Sequence, residues 1–290
     1  MALFGDTSLG AQRWLVLPVV GRFQPSEVMK IGIVLALARF YHGISGSRAR
    51  LSWWLLIPVV LILLPVALVA HQPDLGTAML ILATGVSMMV LAGLSLRLIA
   101  AGIAFVAVAA PTAFFFFLHD YQRQRIFTFL DPAADRSGSG YHVMQSEIAL
   151  GSGGFFGKGF GLGSQSQLNF LPEKQTDFIF ATLAEEFGFV GCVTILALYS
   201  AIIFMGLRIA SVSHSHFGRM AAAGVTATFA LYVLINGAMV MGLAPVVGVP
   251  MPLLSWGGTV MITVMMGFGL LMSVRVHRYS EVTSGKGALV

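Results

Sequence analysis

The sequence predicts an all-α polytopic membrane protein with about seven transmembrane helices, one large extracytoplasmic loop and a Pro/Gly-rich re-entrant segment. Three observations predict it. The 290 residues are 57% hydrophobic and only 10% charged, against about 25% charged in soluble domains. Mean hydropathy is +0.86, which is more apolar surface than a soluble fold hides, so a bilayer must take it. The third is the interval Asp120 to Glu186, the one long stretch that is not apolar. It reads as a polar loop held by a membrane scaffold. A formal charge of +5 fits positive loops at a membrane face, and no nucleic-acid partner is expected. The lone Cys192 permits neither an internal disulfide nor a cysteine metal cluster.

Residues 1–23 form a polar, aromatic-tinged segment without the apolar core of a cleavable signal. Gln24-Pro25-Ser26-Glu27 reads as a helix start, with Pro25 at the first helical position and an acid in the first turn. The first span runs from Pro25 to about Tyr41. Glu27 and Lys30, three apart, share one face, either as an interfacial ion pair or as a polar face lining a cavity. The second span, about Trp53 to Ala70, carries Pro58 and Pro65, which a packed membrane helix tolerates. His71 to Gly76 is a tight turn in which Asp74 is placed to cap the next helix. The third span covers about Thr77 to Leu94 and the fourth Leu98 to Leu118.

After the polar interval, Phe178 to Leu207 is a long apolar run carrying Glu185 and Glu186. On one helix, Glu185 would lie roughly 12 Å from Asp177 and about 80° round the axis, with Glu186 pointing elsewhere. The sixth span is about Ala221 to Leu243. Ala244 to Gly258 is apolar but too rich in Pro and Gly for a helix, so it is expected to be re-entrant or broken and to line a cavity. The seventh span is about Val260 to Val274.

Connectors after the first, third and fifth spans carry Arg48, Arg50, Arg97, Arg208 and Arg219, and the C-terminal end carries Arg275 and Arg278. Those after the second and sixth carry no Lys or Arg. The positive-inside rule puts the first set in the cytoplasm. The loop at 119–177, the turn at Asp74 and the Pro/Gly segment are then extracytoplasmic, within a single membrane domain spanning 1–290.

The run Gly151 to Ser164 is not a P-loop, because no Gly-Lys-Ser/Thr follows at the required spacing. Its glycine N–H groups beside Lys158 are expected to hold a pyrophosphate, with Arg123, Arg125 and Lys174 adding positive charge nearby in sequence. A solvated or headgroup-binding basic face is the plainer alternative. No Ser/His triad spacing and no zinc-type histidine pair is present. A membrane enzyme on this face meets lipid-linked substrates. Departure of a lipid pyrophosphate needs cationic or metal stabilisation. The attacking sugar hydroxyl needs a base, for which Asp177 is the strongest candidate, with helix capping as its competing explanation.

Several segments together resemble the RodA/FtsW family, the SEDS proteins of shape, elongation, division and sporulation, and its RodA branch most of all. They are Gly10-Ala11-Gln12-Arg13-Trp14, Phe23-Gln24-Pro25-Ser26-Glu27, Gln72 to Thr77, Tyr121-Gln122-Arg123-Gln124-Arg125 and Gly140-Tyr141-His142. The series continues through Gly151 to Gly159, Gln165 to Leu168, Leu171-Pro172-Glu173, Thr176 to Phe180, Ala184-Glu185-Glu186 and the Pro/Gly segment to Gly258. The resemblance implies a bacterial inner (plasma) membrane peptidoglycan glycosyltransferase that polymerises lipid II during cell elongation, working with a class B penicillin-binding protein. It places the family's essential outer-loop acid on Asp177, and further functional polar residues on Glu27, Lys30 and Asp74. Arg123, Arg125, Lys158, Lys174 and Glu185 complete the expected substrate-binding set. Asp177 would act as base, or as ligand to a divalent cation, Mg or Mn, against the pyrophosphate.

Departures from the family pattern are Gln175 where relatives often have His, Asn169 where many have an acid, and Trp256 where Tyr is usual. Family members have about ten spans, with the Gly-Ala-Gln-Arg-Trp motif after the third, so this chain is expected to lack three N-terminal helices. Two rival readings are a lipid II flippase, which should place ionisable groups along the whole path, and a non-catalytic scaffold for the transpeptidase, in which Asp177 is dispensable.

Overall fold

The structure, a computed structural model, describes residues 6–8, 11–17, 21–43, 53–116, 120–132, 135, 138–168, 170–171 and 173–280, without the side chains of 6–8, 11–13, 16–17, 21–22, 53, 96, 110–116, 120–122, 124–125 and 139. Arg48, Arg50, Asn169 and Glu281 lie outside the described residues, as does the side chain of Arg125. The chain is mostly helical. Seven helices occupy the seven predicted span positions: α1 (Pro25–His42), α2 (Leu56–Ala70), α3 (Leu75–Leu91), α4 (Leu96–Phe116), α8 (Ile179–Val212), α9 (His216–Val240) and α10 (Gly258–Val276). Three of them, α8, α9 and α10, are by themselves long and apolar enough to cross a membrane, and α2 and α3 are shorter apolar helices. Between α4 and α8 lie α5 (Asp120–Leu130), α6 (Ser139–Ser152) and the single turn α7 (Ser164–Gln167). The polar interval therefore carries helices of its own. A small antiparallel sheet, β1 (Asp6–Ser8), β2 (Ala11–Leu17) and β3 (Gly21–Phe23), precedes α1.

Two span boundaries differ from the sequence reading. α8 runs on to Val212 and α9 starts at His216, so Arg208 and Arg219 sit on helices, not in a connector. Charged residues ended the spans in the sequence reading, but long cationic side chains reach the interface from helix ends and need not stop the helix.

The chain divides into two compact units, one of residues 1–95, 201–231 and 257–290, the other of 96–200 and 232–256. The first has a core of Ile33, Val34, Leu37, Ile62, Ile81, Met88, Ala222 and Val225 with their neighbours. Small residues set its packing distance, as expected where lipid gives no hydrophobic drive between helices. A Cβ on Gly224 would lie 2.3 Å from Met88 Sδ, and one on Gly85 2.5 Å from Ile62.

The second unit is organised by a break in α8. Gly188 has φ 63° and ψ −160°, outside helical space. In a continuous helix the carbonyls of Glu185 and Glu186 would accept from the N–H groups of Phe189 and Val190. Instead they accept from Lys158 N and Gly159 N, both at 3.0 Å, while Phe189 N and Val190 N donate to the carbonyls of Gly154 and Phe155 at 2.9 and 3.1 Å. The glycine-rich run thus clasps the break. This corrects the expectation that the glycine N–H groups cradle a pyrophosphate: Gly157 N donates to the carbonyl of Gly153, and the next two amides bond α8. The glycines serve close approach. A Cβ on Gly153 would lie 2.0 Å from the Ala184 carbonyl oxygen, and one on Gly157 (φ +82°) 2.1 Å from that of Glu186.

Two outcomes follow. Gly157→Ala should destabilise the protein by about 3 kcal/mol or more, combining a positive-φ penalty with a backbone clash. Gly161→Ala, also at positive φ (+71°) but with nothing within 4 Å, should cost only about 1–2 kcal/mol. Equal melting temperatures for the two variants in detergent would sink the clasp. For topology, the loop and the α8–α9 connector should face opposite sides. With Cys192 replaced, an impermeant thiol reagent added outside should label Ser152→Cys and spare His214→Cys, both exposed positions. The reverse pattern would invert the orientation.

Candidate functional site

Asp177 lies in the turns of 173–178, just before α8. Phe178 occupies the N-cap position, its carbonyl accepting from Thr182 N at 3.2 Å. Asp177 is therefore one residue outside the helix, and the helical spacing to Glu185 drawn from the sequence does not apply. The backbone around Asp177 is anchored at three successive residues. The carbonyls of Gln175, Thr176 and Asp177 accept in turn from Trp256 N at 2.8 Å, Ser255 Oγ at 2.6 Å and Asn236 Nδ2 at 2.8 Å. Asn236, on α9 and wholly buried, also donates to the Val249 carbonyl at 2.7 Å, and Ser255 Oγ accepts from Met251 N at 2.7 Å.

The segment from Met241 to Gly257 is irregular throughout, as its Pro and Gly content predicts. Its turns place Gly248, at φ +72°, beside the acid: a Cβ there would be 3.4 Å from Asp177 Oδ2. The Asp177 side chain is half-buried. Asn236 and Ser255 were not singled out in the sequence. Their signal, a buried Asn in an apolar helix, needs a partner to be legible.

Glu185 is the second fixed point of this unit. It is wholly buried. Its Oε1 accepts from Lys158 Nζ at 2.7 Å, Ser164 Oγ at 3.1 Å and Gln165 N at 3.1 Å, and Oε2 from Gln165 N at 3.2 Å. Lys158 Nζ also donates to Ser164 Oγ at 2.9 Å and stays 30% exposed. Lys174 Nζ donates to the Ser166 carbonyl. Arg123 is half-buried on α5. Sequence placed Lys158, Lys174 and Glu185 in one binding set, and the fold brings Lys158 and Glu185 into direct contact.

In the other unit, Glu27 and Lys30 form a buried pair at 2.6 Å, with side chains 4% and 1% exposed. Asp74 caps α3, accepting from Thr77 N at 3.2 Å, as its position predicts. Its second oxygen accepts from Gln24 Nε2 at 2.8 Å, and Gln24 N donates to Thr259 Oγ1 at 3.4 Å. Gln24 so ties together the starts of α1, α3 and α10.

Among the described residues no three His, Cys, Asp or Glu side chains come together in a metal-holding group. One carboxylate facing a pyrophosphate is a donor set for a magnesium-type ion, which binds through one or two carboxylates plus substrate phosphates.

Comparison with known proteins gives a consistent result. The FtsW/RodA/SpoVE model, described as cell cycle protein, matches residues 1–280. The chain is 50% identical over 275 residues to the peptidoglycan glycosyltransferase MrdB of Escherichia coli K12, covering 95% of this chain and 74% of that protein. It is 40% identical over 278 residues to MrdB of Helicobacter pylori 26695, covering 95% and 71%. Among solved structures, one from a study of the structural coordination of polymerization and crosslinking by a peptidoglycan synthase complex matches at TM-score 0.81 and 32% identity, covering 95% of this chain and 76% of that one. The rod shape determining protein RodA of Thermus thermophilus matches at TM-score 0.65 and 28% identity, covering 95% and 73%. With helices at the seven span positions, three of them long and apolar enough to cross a membrane, and a family model matched over nearly its whole length, this multi-pass membrane protein belongs to the FtsW/RodA/SpoVE family.

Proposed function

We propose that the chain is a peptidoglycan glycosyltransferase of cell elongation in the bacterial inner membrane, polymerising lipid II on the outer face. The observation that carries this is the 50% identity to a peptidoglycan glycosyltransferase, joined to an aspartate held by three consecutive backbone carbonyls. In this reading the Asp177 carboxylate takes the proton from the acceptor sugar hydroxyl. The hydroxyl oxygen bonds to the donor's anomeric carbon, and the bond from that carbon to the lipid pyrophosphate breaks. Lys158, oriented by Glu185, meets the pyrophosphate charge together with Arg123, Arg125 and Lys174. Alternatively, Asp177 would hold a divalent cation, which would supply neutralisation of the pyrophosphate charge. Glu27, Lys30 and Asp74 are the further substrate-binding residues of this reading. A class B penicillin-binding protein is the partner that crosslinks the product. The similarity to a chain of a peptidoglycan synthase complex supports that partnership.

Asp177→Asn keeps the size of the side chain and removes the base. It should lower glycan polymerisation from lipid II by roughly 10²-fold or more, while membrane insertion and partner binding persist. Polymerisation at the unmutated rate would leave the scaffold reading standing. Asn236→Ala removes two buried hydrogen bonds and should cost about 2–3 kcal/mol of stability. It should also lower the polymerisation rate of the folded fraction, since the carbonyl of Asp177 loses its anchor. An unchanged rate per folded molecule would show that the anchor does not position the acid.

A further inference from the structure

At the end of the first unit lies an open cavity of about 450 Å³, lined by Ser211, Val212, Ser213, His214, Arg219, Arg278 and Tyr279. It is formed by the C-terminal end of α8, the start of α9 and the residues after α10. Three contacts fix its walls. Arg219 Nη2 donates to the Ser213 carbonyl at 3.2 Å, and His214 N donates to the Arg278 carbonyl at 3.0 Å. The Arg278 guanidinium lies 4.6 Å from the Tyr279 ring centroid, and the His214 ring packs at 5.4 Å on the other partner of that stack.

The lining contains two arginines and no carboxylate. The described carboxylates of this unit lie far off. His42, at the end of α1, packs on Phe217 of α9 at 6.4 Å, whereas Glu27 is at the start of α1, about 22 Å away along the helix. Asp74 is tied by Gln24 to that same far end. A cavity with two arginines and no carboxylate among its described lining residues selects an anion.

The rim identifies which anion. Val212, itself in the lining, is 42% exposed, and Leu207, Met272 and Val276 on the flanking helices are 48%, 56% and 71% exposed. A free inorganic anion gains nothing from such surface, but acyl chains do. The arginine distribution also puts this end at the cytoplasmic leaflet, where basic pockets between membrane helices take anionic lipid headgroups. We propose that this cavity binds the phosphodiester headgroup of an anionic membrane phospholipid, with Arg219 and Arg278 on the phosphate and the acyl chains along Val212, Met272 and Val276.

The test uses native mass spectrometry of the purified chain in detergent. The probes are dioleoylphosphatidylglycerol, dioleoylphosphatidylcholine and inorganic phosphate. Phosphatidylglycerol should bind at least tenfold more tightly than phosphatidylcholine. The Arg219→Gln, Arg278→Gln pair should weaken phosphatidylglycerol roughly 30-fold, about 1 kcal/mol per arginine. Arg97→Gln, an exposed cation elsewhere, should leave it unchanged. Should the paired variant not fold, each single variant is read in the same way, with roughly fivefold weakening expected. Unchanged phosphatidylglycerol affinity in a folded variant would overturn the site. Displacement of the lipid by millimolar inorganic phosphate would overturn the lipid in favour of a free anion.

Discussion

Backbone hydrogen bonding across the break at Gly188 is the constraint on which the second unit depends. An apolar helix that stops leaves amides and carbonyls which the surrounding lipid cannot satisfy, each costing several kcal/mol. The run from Gly153 to Gly159 answers four of those groups at once. It can do so only by bringing backbone against backbone, which leaves no room for a Cβ at Gly153 or Gly157. The density of glycine, the break in α8 and the course of the loop are therefore one fact. Function enters through the same contact. Docking the loop on α8 carries Lys158, Ser164 and Gln165 to the buried Glu185, which otherwise would be a lone carboxylate in an apolar helix.

The second stretch of irregular backbone obeys the same rule. Residues 241–257 have no helix to satisfy them, and Asn236 is a polar side chain on an apolar helix. Each answers the other: Asn236 donates to Val249 and to Asp177, while Ser255 serves Met251 and Thr176. The carbonyls of 175, 176 and 177 are consumed in this latch. Main-chain atoms of 175–177 thus share the structural load at Asp177, and Gly248 brings a residue without a Cβ beside its carboxylate. This is how a loop can present an acid with the positional precision of a helix.

How much of this was legible in the sequence depended on range. The spans were legible because hydropathy is a property of consecutive residues. The cap at Asp74 and the Glu27–Lys30 pair were legible because both act over three residues. The small sheet before α1 and the helices α5 and α6 were not, since their amphipathic pattern is weak beside the apolar runs around them. The glycine run was read as an anion cradle because glycine amides commonly serve that end. Here the amides meet carbonyls 27 residues away, a pairing that no local pattern encodes. Gln24 was quoted within a motif without a role, and its role became visible only when Asp74 and Thr259 arrived beside it. Arg208 and Arg219 show the reverse error, a charge taken as a boundary where the helix continues.

Glu185 and Asp177, eight residues apart, end in opposite situations, and the difference bears on what each can do. Glu185 is wholly buried, and both its oxygens accept hydrogen bonds. Breaking into such a group leaves an uncompensated charge, so in the proposed reading its part is to orient Lys158. The lysine ammonium has three N–H donors. Two of them go to Glu185 and Ser164 on a side chain still 30% exposed, and the proposed reading gives the third to a substrate oxygen. The pair is near neutral as a whole, so it adds little long-range pull on a pyrophosphate. Its contribution is directional: a single donor held at a known place. In the proposed reading, long-range attraction then falls to the other cations of the site, so the part that attracts a charged lipid differs from the part that aligns it.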